Sequence, residues 1–258
     1  MTLGRTKLAS VARRQGVLIA FVLLVAFMFA ATSTFGTYQN LINVLQQNSI
    51  IGIIACGMTF AVILGGFDLS VGSVTALASV VGATIMIDSG TPGIPIGILG
   101  AVAACLLVGG SNGWLIAYLG VNPFVATLGT MTVVRGLIYV ATNASPRFGV
   151  PYSFTTLGMG RLFGVPNPAI VFLIVAASLG FVLHRTRFGH YVYAVGGNPV
   201  ASAQMGVNAA RVRFAVYVLV SLCAAISGII LVGQTASTHP DEIVSMITGA
   251  AASAGAGA

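Results

Sequence analysis

"GVLIAFVLLVAFMFAATSTF", residues 16–35, runs for twenty residues without a charged side chain. A helix of about that length crosses a hydrocarbon core of roughly 30 Å while satisfying its own backbone. Arg5, Lys7, Arg13 and Arg14 precede it. A basic flank before an apolar run resembles a secretory signal. This run is longer than a signal core and further runs follow, so it reads as an uncleaved first helix.

Comparable runs recur at 49–65, 71–87, 94–119, 124–141, 168–184 and 213–233. The 258-residue chain is 57% hydrophobic and 6% charged, with a mean hydropathy of +1.01. A soluble domain carries roughly a quarter charged residues to cover its surface. The composition therefore excludes a soluble globule and predicts an all-α polytopic membrane protein, a single domain with about seven transmembrane helices. Cys56, Cys105 and Cys223 are isolated within apolar runs, without metal-ligand spacing or the pattern of a disulfide framework.

Apart from Arg135, the basic residues behind the net charge of +7 sit at span ends and in loops, which argues against nucleic acid and gives an orientation. Lys and Arg favour cytoplasmic loops. With the basic segment 1–15 inside, the uncharged 37–48 and the stretch 143–167 fall outside, and 185–212 falls inside with Arg185, Arg187, His190 and Arg211. Arg147 and Arg161 are exceptions in the outer stretch. Segment 37–48 reads equally as a short interfacial helix or as a plain connection.

Ionisable groups within spans are costly and usually face a bundle interior or an aqueous path. Two stand out. Asp68 lies in "GGFDLSVGS", residues 65–73, a glycine-flanked break between the second and third runs. Either Asp68 or Ser70 suits the cap of a helix starting at Val71; the alternative is a place on a pathway or gate. Arg135 lies mid-run in "GTMTVVRGLIYV" and needs a partner, a cavity or a route to an interface, with Asp68 as one conceivable partner. Ser111, Asn112 and Gly113 interrupt the fourth run and read chiefly as packing residues.

The longest basic segment, 184–217, holds a turn signal at Gly196-Gly197-Asn198-Pro199, followed by "PVASAQMGV" as one short helix with Pro199 at its start. On composition alone, docking to a partner's groove and a solvated loop are equally good readings. There is no phosphate-binding loop and no zinc motif, and the three histidines are scattered. Nothing supports an enzyme or a cofactor of the chain's own.

Three motifs, "GGFDLSVGS", "NPFVATLGTMTVVRGLIYVATNASP" (122–146) and "TRFGHYVYAVGGNPVASAQMGVNAARVRFAVY" (186–217), resemble the ribose/xylose/galactose-type permeases of bacterial ABC sugar importers. The likeness runs over residues 38–238. It implies a permease of the bacterial inner membrane that dimerises within the lipid bilayer. It also implies a cytoplasmic ATPase that binds the ATP and a periplasmic sugar-binding protein that delivers a pentose or hexose. It maps the family's ATPase-coupling segment onto Gly196, Gly197, Asn198, Ala201, Gly206 and Val207, which turns the even choice above toward docking. Asp68, Ser70 and Gly72 map onto the translocation core, with Asn122, Thr127 and Arg135 as further candidates. The low-complexity tail over 239–258 departs from the family pattern, in which more helices follow, and is expected to reflect a truncation. The alternatives are a secondary transporter relaying ions through Asp68 and Arg135, or a remnant that inserts without assembling.

Overall fold

The computed structural model describes residues 3–238, so the tail over 239–258 lies outside the described residues. In chain order the helices are α1 (Leu3–Ala31), α2 (Tyr38–Ile63), α3 (Val71–Ser89), α4 (Gly93–Ala117), α5 (Pro123–Thr142), α6 (Tyr152–Met159), α7 (Asn167–Arg185), α8 (Arg187–Gly197), α9 (Pro199–Gln204) and α10 (Ala209–Thr235). Four two-residue strands lie among the described residues: β1 (Arg147–Phe148), β2 (Arg161–Leu162), β3 (Val165–Pro166) and β4 (Ser237–Thr238). Among the described residues, six helices (α2, α3, α4, α5, α7 and α10) are long and apolar enough to cross a membrane. The first of the seven expected runs lies in α1, whose apolar part covers Gly16–Ala31.

Helix starts follow side chains that can occupy free N–H groups. Asn122 accepts from the Phe124 N–H, with Pro123 opening α5. Thr186, Asn198 and Asn208 do the same for α8, α9 and α10, accepting from Gly189, Ala201 and Arg211. Segment 37–48 is neither a separate interfacial helix nor a connection: from Tyr38 it is the first part of α2.

The chain forms two compact units, Met1–Leu45 and Gln46–Ala258. In the first, the Phe29 and Phe35 rings meet edge-on at 5.1 Å, and the Asn40 amide donates to the Phe35 carbonyl at 2.8 Å. In the second, α3 and α10 form the centre. Of their apolar windows 67% and 72% are buried, against 22% for α5 and 17% for α7. Lipid tails are as apolar as a leucine side chain, so close approach of backbones selects the contacts here. A Cβ on Gly228 of α10 would collide with the Thr75 carbonyl and the Ala78 methyl of α3. A Cβ on Gly109 of α4 would collide with Ser221 of α10.

The stretch 143–167, expected as a loop, is built. β1 pairs antiparallel with β4 (Arg147 opposite Thr238), β2 pairs with β3 (Arg161 opposite Pro166), and α6 lies between them in sequence. Arg147, an exception to the charge rule, grips Asp88 at the end of α3 through both guanidinium nitrogens, at 2.5 and 3.4 Å. The hydrogen bond to Asp88, and secondarily its charge, hold the guanidinium above its ordinary pKa. A local carboxylate thus accompanies this arginine.

Gly228→Ala should lower stability by about 1–3 kcal/mol through overpacking against α3, read as a lower unfolding temperature in detergent micelles. Gly180→Ala on α7, where nothing beyond the adjoining residues and the helix's own backbone lies within 4 Å of the new methyl, should be neutral or stabilise by up to about 1 kcal/mol. Equal losses at both sites would contradict the packing account.

Candidate translocation and coupling sites

The chain leaves α2 through a backbone motif that requires glycine. The Gly66 N–H returns to the Ala61 carbonyl and the Gly65 N–H to the Val62 carbonyl, both at 2.9 Å, with Gly65 at φ +73°. This paired closure is the Schellman ending, and its left-handed position favours a residue without Cβ. Five residues later α3 begins, and Asp68 lies between the two helices at 1% exposure.

A buried carboxylate is tolerated only with hydrogen bonds to its charge. Asp68 Oδ1 accepts from the Ser70 N–H at 2.9 Å and from the Ser70 hydroxyl at 2.5 Å. Ser70 Oγ in turn accepts from Asn112 Nδ2 at 2.9 Å, and Asn112 Oδ1 accepts from the Thr130 hydroxyl at 2.6 Å. Beside this chain the Leu69 N–H donates to Thr127 Oγ1 at 3.2 Å, while that hydroxyl donates to the Pro123 carbonyl at 2.8 Å. The break is thereby tied to α4 through Asn112 and to α5 through Thr127 and Thr130. Asp68 Oδ2 finds no hydrogen-bond partner among the described residues.

Of the two candidate caps, Ser70 stands at the cap position with helical φ −75° and ψ −13°, and its side chain makes no cap bond. The N–H at the helix start goes to Asp68 instead. Gly72 is buried in the first turn of α3. Asn122 is exposed and caps α5 one turn before Thr127.

Arg135 does not join this group. Its side chain is exposed on α5, with Nη2 3.5 Å from the Tyr139 hydroxyl one turn on and its guanidinium carbon 5.8 Å from the ring centroid. The conceived pairing with Asp68 is therefore not formed.

Asn112 was read as a packing residue and is instead the junction of the polar chain. A fully buried amide inside an apolar run must find partners, and that requirement was the available signal. Gly113 does pack: a Cβ there would stand 3.0 Å from the Phe214 carbonyl oxygen of α10.

The basic segment holds two helices rather than one. Residues 187–197, read as loop and turn, form α8, which packs through Val192 and Val195 and stacks Phe188 on Phe60 of α2 at 6.3 Å. Gly196 is half-buried against the last turn of α2, where a Cβ would strike the Ile63 carbonyl oxygen. Gly197 ends α8 with no neighbour near its absent side chain. Asn198 then caps α9 at the Ala201 N–H, 2.9 Å away. α9 closes with a second Schellman ending: Val207 N–H to the Ser202 carbonyl and Gly206 N–H to the Ala203 carbonyl, both 3.0 Å, with Gly206 at φ +82°. Ala201 is exposed between Val200 and Met205, themselves 69% and 85% exposed. The expected coupling residues thus build a short, well-defined helix with an apolar outer face.

Asn112→Ala should cost about 1–3 kcal/mol, because it strands buried polar partners at both ends. Thr130→Val should cost less. Arg135→Gln should change stability by less than about 0.5 kcal/mol. Unfolding midpoints in detergent would check the order, and a larger loss at Arg135 than at Asn112 would contradict it.

A family model described as "Branched-chain amino acid transport system / permease component" matches residues 40–255. The ribose import permease protein of Escherichia coli K12 is 38% identical over 260 residues, covering 93% of this chain and 78% of that protein. The ribose import permease protein of Bacillus subtilis 168 is 37% identical, covering 89% and 71%. The L-arabinose transport system permease protein of Escherichia coli K12 is 35% identical, covering 88% and 69%. No solved structure matches the chain. These relatives are transport permeases and not enzymes, and the chain belongs to their family of membrane-embedded transport-system permeases.

Proposed function

We propose that the chain is the permease subunit of an ATP-driven importer of a pentose or hexose. Two copies form the pathway in a bacterial inner membrane, with the N-terminus, α8 and α9 on the cytoplasmic side. A separate ATPase docks there, and a periplasmic binding protein delivers the sugar. The relatives' ribose and arabinose import roles support the substrate class. The observation that carries the coupling role is α9, a capped helix with exposed Val200, Ala201 and Met205. Through α8 it is braced against the end of α2 that leads into the Asp68 break. A push on α9 has a short covalent and packed route to the break, the arrangement coupling by alternating access needs.

Asp68, Ser70, Gly72 and Thr127 then serve as the structural hinge of the pathway, with Asn122 at its edge. Arg135, exposed and paired with Tyr139, has no part in an ion relay, which leaves the secondary-transporter alternative without its second group.

Proteoliposomes containing the permease, its ATPase and its binding protein should accumulate labelled ribose or another pentose or hexose only when ATP is supplied. Ala201→Glu, which places a charge on an apolar docking face, should reduce uptake at least about tenfold without loss of permease insertion. Uptake by the permease alone on a proton gradient, or unaltered ATP-driven uptake by the variant, would overturn the reading.

A further inference from the structure

Beside the break lies a cavity of about 240 Å³, where the C-terminal ends of α2 and α4 meet the N-terminal end of α5 and the first turns of α10. It is smaller than the roughly 300–1,000 Å³ of sites for drug-sized ligands. Three hydrogen-bond donors line it: Arg213, Tyr217 and Asn122. Tyr217 is 2% exposed, and its hydroxyl lies against Gly66, where a Cβ would stand 2.6 Å away. That hydroxyl has no hydrogen-bond partner among the described residues, and Arg213, half-buried on the first turns of α10, has neither a hydrogen bond nor an ion pair among them. Asn122 spends its Oδ1 on the Phe124 N–H, leaving its amide N–H groups as donors.

Among the described residues, no carboxylate lines this cavity. Asp68 is absent from the lining, and its Oδ1 is held by Ser70. The remaining walls are glycine backbone and the apolar side chains of Leu64, Ile116 and Val121. A guanidinium, a buried phenol and an amide without an internal acceptor call for a small ligand rich in anionic oxygen. The planar fork of arginine suits phosphate in particular. Basic pockets between helix ends at a membrane surface are known chemistry for lipid headgroups.

We propose that this cavity binds a phosphate group through Arg213, Tyr217 and Asn122. The group comes from an anionic phospholipid headgroup at the membrane surface or from a free phosphate in solution. This site is independent of the sugar that the permease carries.

The test is the unfolding temperature of the full-length permease in a neutral detergent, titrated separately with inorganic phosphate, with phosphatidylglycerol and with ribose, each against sodium chloride of equal ionic strength. A saturable rise with phosphate or phosphatidylglycerol is expected, and which of the two acts identifies the source. Arg213→Gln and Tyr217→Phe should each weaken the apparent affinity, the former about tenfold or more. Arg211→Gln, on the exposed side of the same helix start, should leave it unchanged. Tyr217→Phe keeps the ring and its packing, so it remains informative if the arginine variant does not fold. The proposal is overturned if neither phosphate source gives a saturable rise, if only ribose does, if the rise survives both variants, or if Arg211→Gln abolishes it equally.

Discussion

Opening a helix inside an apolar bundle releases backbone N–H and C=O groups where no water can meet them, each at a cost of several kcal/mol. The rest of the second unit depends on how the break at 64–70 meets that demand. The α2 end closes on itself through Gly65 and Gly66. The α3 start is served by Asp68, and the intervening Leu69 N–H by Thr127. Because Asp68 is itself buried, the chain of partners must continue, through Ser70 and Asn112 to Thr130. A local backbone requirement thereby becomes a constraint on where α4 and α5 stand.

The same end of the bundle also carries the segment suited to a partner. Asn198 and Gly206 fix α9 at its two ends, while α8 lays Phe188 on Phe60 and brings Gly196 to the Ile63 carbonyl. Glycine in these places permits a backbone to lie against a backbone, so movement of α8 relative to α2 cannot be absorbed by a flexible side chain. In the proposed importer that stiffness transmits a push at α9 to the hinge holding Asp68.

Much of this was legible in the sequence. Membrane spans announce themselves by length and composition, and the Asp68 break by a charge among glycines. The helix starting at Val71 and the helix start at Pro199 follow from local chemistry, whereas the end of that helix at Gln204, before the left-handed Gly206, did not. What escaped depends on which faces meet. Asn112 carries no charge, so its cost is visible only once Ser70 and Thr130 are seen on either side. Residues 187–197 carry three glycines that read as loop, yet Gly189 and Gly196 are there for close approach to the Leu183 and Ile63 carbonyls. Asp68 was one conceivable partner for Arg135, which instead meets Tyr139 one helical turn away, where side chains naturally meet.

The central claim is that α9 is the surface through which an ATPase drives the hinge. Disulfide cross-linking tests it most directly. Val200→Cys would be placed in a permease whose Cys56, Cys105 and Cys223 have been replaced, and co-expressed with its ATPase carrying single cysteines across its membrane-facing groove. The account predicts a cross-linked permease–ATPase species whose yield changes with bound ATP, and none from a cysteine at Tyr152, on α6 at the opposite end of the chain's path across the membrane. Absence of any cross-link from Val200→Cys in an intact, transport-competent complex would contradict it.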